Sequence, residues 1–166
     1  AGCSLADGCP PDEFAAFVAK HRETHPDLVV VSYVNTSAAV KALSDVICTS
    51  SNAVEIVRHF ADRPVLFAPD RYLAAWVAKE AQRPDLIAWP GTCVVHEQFN
   101  AKALEQLRVR HPDAEVLSHP ECPAAVLDLS HFVGSTKKII DRAIASPART
   151  LIIGTDHGGF ELKQAV

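Results

Sequence analysis

Several sets of residues in this sequence have the types and spacing to do chemistry. His119-Pro120-Glu121 puts an imidazole and a carboxylate two positions apart. Both types can be tuned to exchange protons near neutrality, so the pair reads as a general acid/base candidate, with an exposed polar turn as the alternative. Cys3 and Cys93 fall in small-residue loops, AGCSLAD at 1–7 and PGTC at 90–93. Loop thiolates converge without helix constraints, and two of them suit a soft site such as zinc or an iron–sulfur cluster. No CxxC spacing reinforces them, and a single cysteine is more often a small buried hydrophobe. Cys48, which closes an apolar run, reads that way, while Cys9 and Cys122 stay open. Thr49-Ser50-Ser51-Asn52 and Ser135-Thr136 are hydroxyl-rich turns, each leading into a helical pattern. Free backbone N–H groups there favour a phosphate or carboxylate, and ordinary helix capping is the alternative.

These groups hang on an alternating framework. Pro10-Pro11-Asp12-Glu13 opens a helix, and Phe14, Phe17, Val18 and His21 recur at helical spacing. Leu28 to Tyr33 is a continuous apolar run, the pattern of a strand buried on both faces of a parallel sheet. A helix over 38–43, a short strand at 46–48 and a helix through Phe60 follow. Val65 to Ala68 is a strand, Asp70 can cap a helix through Glu80, Leu86 to Trp89 is a strand, and a helix covers 101–110. Strand–helix alternation predicts α/β architecture with parallel sheets and right-handed crossovers.

An internal repeat sharpens this. Shifted by 86 positions, residues 25–70 fall on 111–156 without a gap and share 12 identities in 46 positions. Ordinary composition gives about 3 by chance. His25-Pro26-Asp27 meets His111-Pro112-Asp113, Ala38-Ala39-Val40 meets Ala124-Ala125-Val126, and Leu43-Ser44 meets Leu129-Ser130. The expectation is two similar three-layer αβα units, 1–90 and 91–166, the second incomplete. Ligands of parallel α/β sheets sit beyond the carboxyl ends of the strands. There the copies differ: Tyr33 opposes His119 and Asn35 opposes Glu121, as expected if both copies serve one shared pocket with different groups.

Composition narrows the function classes. In 166 residues there are 16 Lys plus Arg against 20 Asp plus Glu, a net charge of −4, which argues against a dense nucleic-acid-binding face. A hydrophobic content of 48% suits a packed core rather than a disordered chain, and no apolar run reaches membrane-spanning length. Five irregularly spaced cysteines make a poor disulfide framework and fit a reducing, cytoplasmic setting. The chain starts at Ala1 and lacks Met, so residue 1 is expected not to be the natural start.

The ordered motifs AGCSLAD, VVVSYVNTSAAVKALSD, CTSSNAV, FAPDRYL, WPGTCVVHEQF, HPEC and FVGSTKKII resemble quinolinate synthase, an iron–sulfur enzyme family of NAD biosynthesis. The resemblance implies three similar α/β domains about a pseudo-threefold axis, of which this chain carries two. It implies condensation of iminoaspartate with dihydroxyacetone phosphate to quinolinate. It also implies a 4Fe–4S cluster held by three cysteines, with one iron open as a Lewis acid. By motif, Cys3 and Cys93 match two ligands, and the third lies outside this chain, so the chain alone is expected to be inactive. Tyr33, Asn35, Ser50, His119, Glu121, Ser135 and Thr136 match substrate-contacting positions, and Tyr33, His119 and Glu121 also match catalytic ones. The family further implies a functional link to L-aspartate oxidase. A stretch at Asp156–Lys163 leaves the pattern and is similar to the opening of type B ribose-5-phosphate isomerases. The alternative function is a non-catalytic α/β module binding a small phosphorylated or dicarboxylate ligand.

Overall fold

The computed structural model of the chain describes residues 4–154, apart from the side chains of residues 95 and 96. The chain divides into two compact units, up to Val94 and from Val95 onward. Each holds a small parallel sheet flanked by helices, the expected α/β class.

The first unit runs α1 (Ser4–Asp7), α2 (Pro11–Thr24), β1 (Val29–Tyr33), α3 (Ala38–Ala42), β2 (Val46–Cys48), α4 (Ala53–His59), β3 (Val65–Ala68), α5 (Arg71–Ala81) and β4 (Ile87–Ala88). The strand order is β2-β1-β3-β4, all parallel. Every residue of β1 and β3 is buried, as a strand covered on both faces must be. Because side chains alternate along a strand, Val30, Leu66 and Ala68 share one face. There they join Phe14 and Val18 of α2, Cys9, Leu28, Val40 and Trp89 in one core. The Trp89 ring meets Phe14 and Phe17 edge-on, with centroids 5.6 and 5.1 Å away. His21, at the end of the apolar stripe of α2, is half-buried and donates from Nδ1 to the Phe17 carbonyl at 2.8 Å.

After α6 (Val94–Glu97), the second unit runs α7 (Ala101–Arg110), β5 (Glu115–Ser118), α8 (Ala124–Leu127), β6 (Phe132–Val133), α9 (Thr136–Ala145) and β7 (Leu151–Gly154). Its sheet order is β6-β5-β7, again parallel. Leu104, Val116, Cys122 and Val126 form its core, with Phe99, Leu127, Leu129 and Ile152 packed against them.

The sequence repeat is a repeat of strand register. Val31 pairs with Val46 and Leu117 with Phe132; Val29 pairs with Val65 and Glu115 with Leu151, each pair shifted by the same 86 residues. It is also a repeat of hydrogen bonds. Ser44 Oγ lies 2.7 Å from Ser32 Oγ and 2.8 Å from the Val40 carbonyl oxygen. Ser130 Oγ lies 2.7 Å from Ser118 Oγ and 2.8 Å from the Val126 carbonyl oxygen. The shared Leu-Ser dipeptide thus ties the helix end to the central strand in both units. One equivalence joins unlike residues: Val30 N–H donates to Asp45 Oδ2 at 2.8 Å, and Val116 N–H donates to His131 Nδ1 at 2.9 Å.

Candidate active site

The candidate residues of the first unit sit where parallel sheets place ligands, at the carboxyl ends of the strands. Tyr33 ends β1 and is buried, and Asn35 follows it half-buried. Next to them Thr36 is buried, and its Oγ1 has no hydrogen-bond partner among the described residues. It is not needed as a cap, because the Ser37 hydroxyl accepts the Val40 N–H at 3.2 Å at the start of α3. Thr36 was not singled out from the sequence; a lone hydroxyl ahead of a helix reads as a cap. After β2, Ser50 is half-buried in the turn entering α4. Asn52 occupies the cap position of α4 without capping it. Its Oδ1 instead turns back, accepting Thr49 N–H at 2.7 Å and lying 3.0 Å from Thr49 Oγ1.

Cys93 is buried past β4, in the loop 89–93. That loop is locked to the loop after α1. The Trp89 indole Nε1 donates to the Gly8 carbonyl at 2.9 Å. Gly91 fits because it has no side chain: an added Cβ would stand 2.6 Å from Gly8 O, 2.6 Å from Trp89 Nε1 and 2.7 Å from Pro69 O. Ser4 Oγ lies 3.4 Å from Cys93 Sγ. The structure therefore brings the sequence neighbour of Cys3 against Cys93, while Cys3 itself lies outside the described residues. The sequence signal for Ser4 was only its place in AGCSLAD, 89 residues from its partner.

As a metal centre the described residues are incomplete: none of their His, Cys, Asp and Glu side chains gather in threes around a common point. Cys93 is the one described thiol with the expected place. Cys9 and Cys48 are core residues, and burial pushes both thiols up to about 12, which suits them poorly to the thiolate form a metal needs.

The second unit holds the acid/base candidates. His119 and Glu121 follow β5 and are both buried, 0% and 1% exposed, rather than forming a solvated turn. His119 N–H donates to the Gly154 carbonyl at 2.7 Å, and Cys122 N–H to the His119 carbonyl at 3.0 Å, which curls the segment tightly. This curl sets His119 Nδ1 3.0 Å from Glu121 Oε2 and 3.4 Å from the Glu121 N–H. The Nδ1–Oε2 contact is at ion-pair distance without hydrogen-bond alignment, and neither Glu121 oxygen has a hydrogen-bond partner among the described residues. A buried carboxylate in that condition is expensive, and such groups are kept where protons or ligands are handled. Ser135 stands at the cap position of α9, but its side chain makes no cap bond. Its Oγ is buried without a partner among the described residues, and Thr136 is exposed beside it. The capping alternative is thus not what Ser135 does.

Two parallel α/β units, each with polar side chains at the carboxyl ends of its strands and one with a buried imidazole–carboxylate contact, define an α/β protein with a candidate site at those strand ends. The family model for quinolinate synthetase A protein matches residues 1–165, and the chain belongs to that family. The match takes in the Asp156–Lys163 stretch that the sequence set apart. The chain is 51% identical over 159 residues to the quinolinate synthase of Synechococcus sp. (strain ATCC 27144), covering 95% of this chain and 48% of that protein. It is 53% identical to that of Prochlorococcus marinus (strain MIT 9303), covering 95% and 46%, and 51% identical to that of Trichormus variabilis, covering 95% and 48%. The chain spans about half the length of the curated relatives it matches. Among the described residues, no helix is long and apolar enough to cross a membrane.

Proposed function

We propose that this chain is part of a cytoplasmic quinolinate synthase that condenses iminoaspartate with dihydroxyacetone phosphate, releasing phosphate and water, on the route to NAD. The observation that carries the reading is the buried Glu121 carboxylate, unpaired by hydrogen bonds and 3.0 Å from His119 Nδ1. In this reading His119 and Glu121 pass protons during isomerisation and ring closure. Tyr33 orients substrate at the end of β1. Asn35, Ser50, Ser135 and Thr136 bind the carboxylate and phosphate groups; Ser135 Oγ is free of capping and so available to a ligand. L-aspartate oxidase chemistry supplies the imine substrate.

Cys3 and Cys93 hold two corners of a 4Fe–4S cluster in this reading, supported by the 3.4 Å approach of Ser4 to Cys93. When bound, the cluster supplies a Lewis acid at an iron that no cysteine occupies. Two thiolates leave the set one short, so the 166-residue chain alone is expected to be inactive and to take up iron poorly. Anaerobic reconstitution that loaded four irons per chain would overturn this cysteine assignment. The function itself is tested in the full-length protein bearing this sequence. Glu121→Gln should lower quinolinate formation by about 10²–10⁴-fold with the far-ultraviolet dichroism preserved. Unchanged turnover would sink the reading.

A further inference from the structure

We propose that Ser4 is a positioning residue for the cluster ligand Cys93: its hydroxyl donates a hydrogen bond to the Cys93 sulfur when that sulfur binds iron, which holds the ligand and raises the reduction potential of the cluster. The inference rests on the reading of Cys93 above.

The approach of these two residues is built by the fold. Ser4 opens α1, and its Oγ lies 3.4 Å from Cys93 Sγ across 89 positions of sequence. Leu5 and Cys9 are both buried and pin the segment between them. The Ser4 carbonyl accepts the Gly8 N–H at 3.2 Å, and the Gly8 carbonyl accepts Trp89 Nε1 at 2.9 Å. Gly8 also lies close against the cysteine loop, where an added Cβ would stand 3.0 Å from Thr92 O. Trp89 in turn donates its backbone N–H to the Phe67 carbonyl of β3 at 2.9 Å. Ser4 is thus tied to the sheet through Gly8 and Trp89, and the same two residues hold the loop that carries Cys93.

The direction of the bond follows from the chemistry of sulfur. Between neutral groups, either the Ser4 hydroxyl or the Cys93 thiol can donate. A cysteine bound to metal is a thiolate with no proton to give, so the hydroxyl is then the donor. Cys122 makes the contrast. Its Sγ donates to the Gly154 carbonyl at 3.7 Å, and a carbonyl only accepts, so that contact exists only in the protonated thiol. The contact to Ser4 survives the change to thiolate and strengthens with it, because hydrogen bonds to an ionised acceptor are stronger than neutral ones. Cys93 is buried, so little water competes for its sulfur. A donor at a cluster sulfur draws charge from it and favours the reduced, more negative state, which raises the potential.

The test uses the full-length protein bearing this sequence, loaded anaerobically with iron and sulfide and reduced stepwise with dithionite. Electron paramagnetic resonance reads the reduced cluster. Ser4→Ala should make the midpoint potential more negative, shifting the one-electron equilibrium several-fold, with a tenfold shift corresponding to about 59 mV. Ser4→Thr, which keeps the hydroxyl, should stay close to the unaltered protein. The melting temperature of the iron-free protein should be the same in all three. Equal potentials in Ser4→Ala and the unaltered protein, at equal iron content, overturn the Ser4 role and leave the cysteine assignment standing. A melting temperature that falls in iron-free Ser4→Ala also overturns it, since the hydroxyl then serves the fold. If Ser4→Ala takes up too little iron for a potential to be read, loss of uptake at an unchanged melting temperature, with Ser4→Thr loading fully, supports the role. Loss of uptake in Ser4→Thr as well overturns it. If the unaltered full-length protein assembles no cluster, the cysteine assignment and the Ser4 role fall together.

Discussion

His119 Nδ1 stands 3.0 Å from Glu121 Oε2 with both side chains sealed from solvent, a contact made inside one three-residue segment. Residues that exchange a proton as a unit give non-additive losses. In the full-length protein, His119→Asn and Glu121→Gln should each lower kcat by about 10²-fold or more. The double variant should lose no more than the worse single one. Losses that multiply would show that the two act separately.

The paired serines predict matching stability costs. Ser44 and Ser130 each bridge a central-strand serine and a helix carbonyl at the same distances, 2.7 and 2.8 Å. Ser32 and Ser118 are buried, so removing the bridging hydroxyl strands a polar group. Ser44→Ala and Ser130→Ala should each cost about 1–2 kcal/mol in urea unfolding. A cost below about 0.3 kcal/mol at either site would contradict the role drawn for the bridge.

Acid unfolding should be blunted by loss of one carboxylate. The Ser146 hydroxyl and then the Arg142 guanidinium, 2.6 Å away, hold Glu115 below the ordinary carboxylate range. A carboxyl lowered in the folded state contributes stability above its unfolded value, and that contribution disappears as the pH falls through the lower folded value. Glu115→Gln should therefore lower stability at neutral pH and flatten its decline on acidification below the ordinary glutamate range. Parallel pH–stability curves for the two proteins would refute the assignment.

Thiol reactivity should divide by burial. Cys9 and Cys48, raised to about 12 by burial, should resist iodoacetamide at pH 8 in the native chain and react in denaturant. Peptide mass spectrometry reads each site. Native alkylation of either at the rate of a free thiol would show that the core around it opens.

Much of this was legible in the residues because it is local and periodic. The apolar run at 28–33 became the doubly covered β1, and Asp70 caps α5 as its place before that helix predicts. The 86-residue repeat became a register repeat because its identities fall on residues that hold the unit together, such as Ser32, Ser44 and their counterparts. Other equivalences were invisible to identity. Asp45 and His131 accept the same strand N–H through different side chains. The hydroxyl turns read as caps or ligand sites alike until Ser135 was seen to leave its helix uncapped.

By itself the sequence determined the parallel α/β class, the duplicated unit and the family, since each rests on patterns that adjacent residues carry. Tertiary structure alone decided which polar groups are left unpaired. Whether Glu121 finds a donor, whether Thr36 and Ser135 are engaged, and whether Ser4 reaches Cys93 depend on the curl of a backbone and on approaches between segments far apart in the chain. Hydrogen bonding is short-ranged and directional, so a residue type states what a group can bind, and only the packed fold states what remains for it to bind.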